Sequence, residues 1–420
     1  MSRLRMTTSR LWKQRDYMLL WGGQVVSTLG STASLVVYPL LILALTGSPS
    51  AAGVAVALRS LPYLLFCLPA GALIDRWDRK RVMILCDLGR AMAVASVPIA
   101  IWVGALTVWQ LYAVSFVEGS LFVFFNIAEV AALSRVVPTE LLPAATAQNE
   151  AAFGAADIVG PSIGTTLFQT VGRAAPFLAD AASYLASVLS LLLIRTDFRS
   201  SPSKPAVSLR AEIGDGLSWL WRQPLIRTMA FLTGGLNMVS AATPLIVIVL
   251  AKHLGASDVD IGLIFSIGGI GGVIGSLVGG RVQERFSFGQ AIVSVMWATA
   301  ILFSFYALVT NWLLLGLITA SIAILTPIYN VVQFSYRIAL IPDALQGRVN
   351  STFRLIAFGL SPVGAALSGV MLERLGTAAT VATFACWYFL LAALTSLNNH
   401  VRAAPAVRER ENSAAGSSTF

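Results

Sequence analysis

The sequence predicts an all-α membrane protein whose twelve transmembrane helices form two pseudo-symmetric six-helix bundles. Apolar residues make up 56% of the 420 residues and charged residues 12%, a balance too apolar for an ordinary soluble domain. Apolar runs long enough to cross a hydrocarbon core of about 30 Å recur along nearly the whole chain. Cations gather in short segments between these runs, as in loops on the cytoplasmic side of a membrane.

The apolar runs define twelve predicted spans, which are numbered here in chain order. They cover residues 17–44, 51–74, 82–104, 108–134, 147–170, 176–194, 227–250, 260–280, 290–309, 312–337, 349–371 and 377–397. Most of the 29 Lys and Arg residues then fall on one side, which predicts that both termini are cytoplasmic and that the protein lies in the plasma (inner) membrane. The net charge of +9 therefore belongs to membrane topology, and no nucleic-acid partner is expected.

A polar segment divides the chain into two bundles. Residues 196–226 begin with a Ser/Pro-rich stretch, typical of a linker, and end in a sequence that predicts a helix lying at the membrane surface. The predicted domains are thus an N-terminal bundle at 1–195, this cytoplasmic linker, a C-terminal bundle at 227–400 and a disordered cytoplasmic tail at 401–420.

The two bundles resemble each other in sequence. Glycines and charges in and just after span 2 recur at one constant offset in and just after span 8: Gly53, Gly71, Asp75 and Arg76 match Gly262, Gly280, Glu284 and Arg285. Two parallel halves related by an axis along the membrane normal are one of the repeat arrangements found in transporters.

Three charged residues are predicted deep in the first bundle. Arg59 on span 2 and Glu118 on span 4 lie about 14 Å from the outer face, and Asp157 on span 5 lies at a similar level. Each ionised group there costs about 3 kcal/mol, so Arg59 is expected to pair with one of the two carboxyls. The pair is either a permanent structural salt bridge or part of a proton-exchange site. Glu118 is the first candidate for proton coupling and Asp157 the second.

Three further charges, Asp87, Arg90 and Glu129, are expected near the cytoplasmic ends of spans 3 and 4. There they would have a structural role, linking these helices to the charged loop at Gly71–Arg81.

Polar side chains follow one face of span 1 at steps of three and four residues. Such a stripe either lines a central, partly wet cavity or makes hydrogen bonds between packed helices. The candidates for substrate contact are Gln24, Thr28, Ser31 and Tyr38 on span 1, Asn126 on span 4, and Asn237, Tyr329, Asn330 and Gln333 in the second bundle.

Span 5 contains Gly160, Pro161 and Gly164, a combination that kinks a helix and lets another helix approach closely. Span 8 carries glycines at four-residue steps, including Gly271 and Gly275. Small faces on both spans would let the two halves slide or rock against each other.

The stretch from Gly71 to Arg81 contains the pattern Gly-x-Leu-x-Asp-Arg-x-x-Arg-Lys, which resembles the loop between helices 2 and 3 of major facilitator superfamily transporters. That family usually has Gly where this chain has Asp78, and Asp tolerates a left-handed turn conformation better than most residues. The Gly160-Pro161 segment resembles the antiporter motif of exporters in this superfamily. The resemblance implies a cytoplasmic gate loop formed by Gly71, Asp75, Arg76, Arg79 and Lys80, near the start of the eleventh helix.

Within the superfamily the chain resembles the twelve-helix drug–proton antiporter branch, which includes macrolide-efflux and enterobactin-exporter-like proteins. This resemblance is based on Asp87-Leu-Gly-Arg90-Ala91 and Gly347-Arg348-Val349-Asn350-Ser351, among other stretches. It implies a monomer that exports amphipathic small molecules, such as drugs, antibiotics or siderophores, in exchange for protons by alternating access. An importer or facilitator, and a non-transporting membrane sensor or scaffold, are the alternatives.

An enzyme is not expected. The sequence contains no Gly-x₄-Gly-Lys phosphate loop, no His-Glu-x-x-His and no cysteine–histidine cluster, so neither a cofactor nor a metal is predicted.

Overall fold

The computed structural model describes residues 11–74, 76–198, 209–342, 345–402 and 404, and within these ranges the secondary structure is helical, without strands. The helices are α1 (Arg15–Thr46), α2 (Pro49–Ile74), α3 (Arg79–Val103), α4 (Val108–Val136), α5 (Leu142–Thr170), α6 (Ala175–Leu193), α7 (Leu209–Arg222), α8 (Pro224–His253), α9 (Asp258–Arg285), α10 (Phe288–Ser304), α11 (Trp312–Leu340), α12 (Gln346–Gly359), α13 (Ser361–Leu397) and α14 (Asn399–Arg402), with short 3₁₀ turns at Thr139–Leu141 and Phe305–Leu308.

Twelve membrane crossings account for these helices. Ten stretches of the described chain are long and apolar enough to span a membrane, and the last of them, Arg348–Leu397, has 50 residues, enough for two crossings. Gly376 interrupts α13 with φ 78° and ψ 177°, which separates spans 11 and 12. Helix α5 completes the count; polar residues such as Gln148 and Glu150 lower its hydropathy, yet with 29 residues it is long enough to cross. The predicted all-α fold is confirmed.

The surface of these helices is suited to lipid. Leu85, Met92 and Leu277 are each about two-thirds exposed although they lie in the middle of helices. Trp102 and Trp109, at the end of α3 and the start of α4, are 67% and 79% exposed. Exposed apolar helix faces with tryptophans at the helix ends indicate a multi-pass membrane protein, because indole rings prefer the membrane–water interface.

The chain divides into two compact units, the first taking in the described residues of 1–206 with Ser257–Ser266, the second those of 207–256 and 267–420. In the first unit α1 packs on α5 and α6, α2 packs on α4, and α3 packs on α4 and α6. Asp16, at the start of α1, accepts hydrogen bonds from the backbone N–H groups of Arg195 and Thr196 at 3.1 and 2.8 Å. The first and sixth helices are thus joined at this end of the bundle.

In the second unit α8 packs on α12 and α13, and α10 packs on α11 and α13. Helix α7, within the predicted surface helix, packs on α12, where Gly216 lies against the carbonyl oxygen of Arg348. The Ser/Pro-rich part of the predicted linker and most of the predicted tail lie outside the described residues.

The glycines of α5 bring it into backbone contact with α1. A methyl group at Gly164 would overlap the carbonyl oxygen of Ala33, and one at Gly160 would overlap the side chain of Thr32. The close approach predicted for this motif therefore occurs, and its partner is α1 at Thr32 and Ala33. On α9, Gly271 and Gly275 lie in the same way against α11, so both sets of glycines contact a helix of their own unit.

The substitution Gly164→Ala is expected to destabilise the first bundle by about 1–3 kcal/mol, because the added methyl group forces two packed helices apart. Thermal unfolding in detergent measures the effect. Gly22→Ala on α1 is the matched control, since nothing lies within 4 Å of the methyl group it adds. Equal unfolding temperatures for the two variants would contradict the contact.

Asp78 forms an N-cap at the position where the family usually has Gly. Its φ of −69° and ψ of 107° are extended, and its side chain caps the N-terminus of α3 by accepting hydrogen bonds from the backbone N–H groups of Lys80 and Arg81. A carboxylate can satisfy the free N–H groups of a helix start, which a glycine cannot do.

Replacement of Asp78 by alanine is expected to lower the stability of the protein by about 1 kcal/mol, the typical loss for an N-cap. Asp78→Asn keeps a side-chain oxygen and should remain close to the wild type. Chemical unfolding followed by tryptophan fluorescence compares the variants, and a loss of the same size in both would exclude the cap as the cause.

Candidate functional site: a buried charge network in the first bundle

Arg59 and Glu118 form a two-point salt bridge between α2 and α4. The Arg59 Nη1 atom donates to Glu118 Oε2 at 3.0 Å, and Arg59 Nη2 lies 2.9 Å from Glu118 Oε1. The Glu118 side chain is 1% exposed, whereas that of Arg59 is 23% exposed. Of the two pairings expected from the sequence, the structure shows the one with Glu118.

Gly119 makes this salt bridge possible. A methyl group at this position would overlap the carbonyl oxygen of Arg59, so the backbones of α2 and α4 are in contact beside the pair. Because Gly119 has no side chain, α2 and α4 lie close enough for the Glu118 carboxylate to contact the guanidinium group of Arg59.

Tyr184 of α6 connects the salt bridge to α3 and to α1. Its hydroxyl donates to Glu118 Oε1 at 3.0 Å and accepts a hydrogen bond from Arg90 Nη2 at 2.7 Å. The Ser31 hydroxyl on α1 lies 2.8 Å from the hydroxyl oxygen of Tyr184. The Arg90 guanidinium also stacks on the Tyr184 ring, with its central carbon 4.1 Å from the ring centroid. We call this set of residues, together with Asp87 and Asp180, the charge network.

Asp87 and Arg90 were expected near the cytoplasmic end of span 3, and the structure corrects this for their side chains. Both are buried, at 0% and 4% exposed, and Arg90 Nη1 donates to Asp87 Oδ1 at 3.4 Å. One turn of α3 thus contributes an acid and a base to the network, which the sequence interpretation had assigned to the charged loop. Glu129 is half-buried and has Asp87 and Arg90 as its charged neighbours.

Asp180 on α6 is a buried carboxyl that the sequence interpretation missed. It is fully buried, and its Oδ2 atom lies 2.5 Å from the Ser34 hydroxyl on α1. A charged residue inside an apolar span was the signal that singled out Glu118, and the same signal applied to Asp180. It was overlooked because Asp180 lies only one turn after the predicted start of span 6.

Asp157 does not join the network. Its side chain is exposed, and within the described part of the chain it forms no ion pair. Of the two candidate carboxyls, the network therefore contains Glu118 and not Asp157.

The polar stripe of α1 faces α6 along much of its length. Gln24 Nε2 lies 3.4 Å from the Ser187 hydroxyl, and Ser31 and Ser34 contact Tyr184 and Asp180. Tyr38 is buried, packs edge-on against Phe177 and has the Arg59 guanidinium 5.7 Å from its ring centroid. Thr28 and Asn126 are half-buried and make no hydrogen bond to any described residue.

In the second unit, two of the four candidates have fixed partners. The Tyr329 hydroxyl lies 2.7 Å from that of Thr233, and Asn237 Nδ2 donates to the carbonyl oxygen of Ala357 at 2.8 Å. Gln333 is buried and its Nε2 atom has no partner among the described residues, whereas Asn330 is exposed. Sequence reasoning also missed Arg337, which is buried and stacks on the Phe353 ring at 4.0 Å.

Two cations of the predicted gate loop bind the ends of neighbouring helices. Lys80 Nζ donates to the carbonyl oxygen of Ile194, just after α6, at 2.6 Å, and Arg79 Nη1 donates to that of Ala131 on α4 at 3.4 Å. Cations at helix C-termini are favourable because carbonyl groups there carry partial negative charge. Arg76 is exposed, Gly71 is half-buried with no atom near enough to contact an added side chain, and Asp75 lies outside the described residues.

No group of three or more His, Cys, Asp or Glu side chains in the described ranges is arranged to hold a metal ion.

Comparisons with known proteins agree with this architecture. A family model described as "Transmembrane secretion effector" matches residues 8–416. The multidrug efflux pump Tap of Mycolicibacterium fortuitum is 25% identical over 382 residues, which cover 88% of this chain and 92% of that protein. Macrolide efflux protein A of Streptococcus pyogenes is 25% identical over 379 residues, covering 87% of this chain and 91% of that protein.

The fold also matches a solved structure. The crystal structure of the nucleoside transporter NupG superimposes with a TM-score of 0.71 at 14% sequence identity, covering 90% of this chain and 98% of that one. Twelve crossings in two bundles of this form define a transporter of the major facilitator superfamily, not an enzyme. Within that superfamily the chain belongs to the transmembrane secretion effector family. The resemblance identified from the sequence is confirmed.

The single substitution Arg59→Met is expected to destabilise the protein by about 3–5 kcal/mol, because it leaves the Glu118 carboxylate buried without its cation. Combining it with Glu118→Gln should restore part of this loss. Arg81→Met is the control, since Arg81 belongs to an exposed ion pair worth about 0–1 kcal/mol. Thermal unfolding in detergent compares the variants, and purely additive losses in the double variant would show that the two side chains do not interact.

Proposed function

We propose that this protein is a secondary active transporter that exports amphipathic small molecules, such as drugs, antibiotics or siderophores, by proton antiport with alternating access. The observation that carries the proposal is the charge network, which holds titratable carboxyl groups in the apolar interior of a membrane helix bundle. Such groups are rare inside membranes and mark proton or substrate pathways. The printed names of the relatives, a multidrug pump and a macrolide efflux protein, support export and the substrate class.

The salt bridge between Arg59 and Glu118 supports proton coupling at this site. Its members lie on different helices, so a movement of α2 against α4 would separate them and change the affinity of Glu118 for a proton. Glu118, with Arg59 as its counter-ion, is the first candidate for coupling, and Asp157 is the second. A membrane potential of 100 mV supplies about 2.3 kcal/mol for each proton that crosses.

Substrate contact is assigned to polar side chains that the packing leaves available. Thr28, Asn126 and Asn330 fit this description best, because the described residues give them no hydrogen bond. Gln24, Ser31, Tyr38, Asn237, Tyr329 and Gln333 complete the proposed set. The gate loop of Gly71, Asp75, Arg76, Arg79 and Lys80 would lie on the cytoplasmic side with both termini, and the transporter would act as a monomer.

A vesicle assay tests proton coupling and direction together. Protein reconstituted into liposomes is given an imposed pH gradient, and the movement of ethidium and of erythromycin is followed. We expect the wild type to move a probe against its concentration gradient and Glu118→Gln to equilibrate it without accumulation, because glutamine forms no salt bridge with Arg59 and cannot take up or release a proton. Glu140→Gln, an exposed carboxyl, is the matched control.

Three outcomes would contradict parts of the proposal. Unchanged coupling in Glu118→Gln would exclude that residue. Wild-type transport that ignores the pH gradient would exclude proton antiport. Movement of the probes into cells that lack other pumps, instead of out of them, would favour an importer.

A further inference from the structure

The environment of Asp180 is suited to a neutral carboxylic acid. Its Oδ2 atom contacts the Ser34 hydroxyl, and its Oδ1 atom is buried without a hydrogen-bond partner among the described residues. In the same part of the chain no cationic nitrogen lies within ion-pair distance of either oxygen. An ionised carboxylate needs several donors or a cation when it is buried, whereas a protonated one needs a single acceptor for its proton.

Ser34 provides that acceptor. Its hydroxyl lies 3.2 Å from the carbonyl oxygen of Ser31, one turn earlier on α1, and can donate its own proton there. Its oxygen is then free to accept the proton of Asp180. If Asp180 were ionised, the single hydroxyl proton of Ser34 could be donated either to Asp180 Oδ2 or to the carbonyl oxygen of Ser31, but not to both. A proton on Asp180 satisfies both contacts at once.

The charges of the network point to the same residue. The charge network contains two guanidinium groups, on Arg59 and Arg90, and three carboxyl groups, on Asp87, Glu118 and Asp180. Arg59 is held at two points by Glu118, and Arg90 is shared between Asp87 and Tyr184. Asp180 is therefore the acid for which no cation is left, and an unpaired buried charge is costly in an apolar medium.

Helices α1 and α3 pack against α6, and the charges of α2 and α4 also reach Asp180. The titratable groups that face Asp180 are Tyr38 on α1, Arg59 on α2, Arg90 on α3, Glu118 on α4 and Tyr184 on α6 itself. Asp87 pairs with Arg90, and Asp157 on α5 is exposed. Among these groups Glu118 is the carboxyl whose negative charge disfavours a second negative charge on Asp180.

We propose that Asp180 carries a proton in this conformation and is the group from which the network exchanges protons when α1 and α6 separate at Ser34. The exchange rests on the proposed function; the presence of the proton does not. Glu118 then keeps the proton on Asp180 by its negative charge and by occupying Arg59. With Gln at position 118, Arg59 is free to neutralise Asp180, so coupling is lost.

Infrared spectroscopy detects this proton without any transport, because a protonated carboxyl has a carbonyl stretch well separated from that of a carboxylate. The difference spectrum between the wild type and Asp180→Asn at neutral pH should contain one such band, in the position of a carbonyl without a hydrogen bond. Asp180→Asn should remain folded, since asparagine has the shape and charge of the protonated acid. Ser34→Ala should shift the band, because among the carboxyl groups of the network Ser34 contacts Asp180 alone within the described residues.

Asp157→Asn is the control and should leave the band in place. Absence of a carboxyl band from the wild-type minus Asp180→Asn spectrum, or a band that Ser34→Ala does not move, would overturn the proposal. If the band is found and vesicle transport ignores the pH gradient, the proton is present and proton antiport is wrong. If transport depends on the pH gradient but the carboxyl band is absent, proton antiport remains supported and Asp180 is excluded as the proton carrier.

Discussion

The salt bridge between Arg59 and Glu118, with Tyr184 and Arg90 attached to it, is the interaction on which the first bundle depends. It joins α2, α4, α6 and α3 in an interior where water does not screen charge, so each of its members needs the others. Burial of such groups adds little net stability compared with apolar packing, but removing one partner is costly. The network therefore fixes which helices are neighbours more than how tightly they are held.

Backbone contacts at glycines complement this network. Between α1 and α5, and between α2 and α4, small residues allow approach that side chains would prevent, and dispersion forces act over the whole contact. The salt bridge and the Gly119 contact act on the same helix pair, α2 and α4, whereas the contacts of Gly160 and Gly164 hold α5 on α1. Together they fix the arrangement of these helices, and the movements proposed for transport have to break individual contacts of the network.

Much of the fold follows from the sequence, since each crossing needs its own apolar run and each short basic loop marks one side. The ends of helices followed less well: α5 begins at Leu142, five residues before the predicted start, and the cap that Asp78 forms on α3 was not predicted. In the site, depth in the membrane predicted the partners Arg59 and Glu118. Depth could not predict Tyr184, Arg90 or Asp180, because the inward faces are decided by packing, of α6 on α1 and of α3 on α4 and α6.

Gly376 separates the last two crossings with a single residue, in a conformation that is essentially restricted to glycine. A connection of one residue cannot lengthen or shorten. The helical segments before and after it cannot slide along each other, and their relative motion is restricted to rotation about the bonds of one residue. The last two crossings of the second bundle can therefore change the angle between them but not their register along each other.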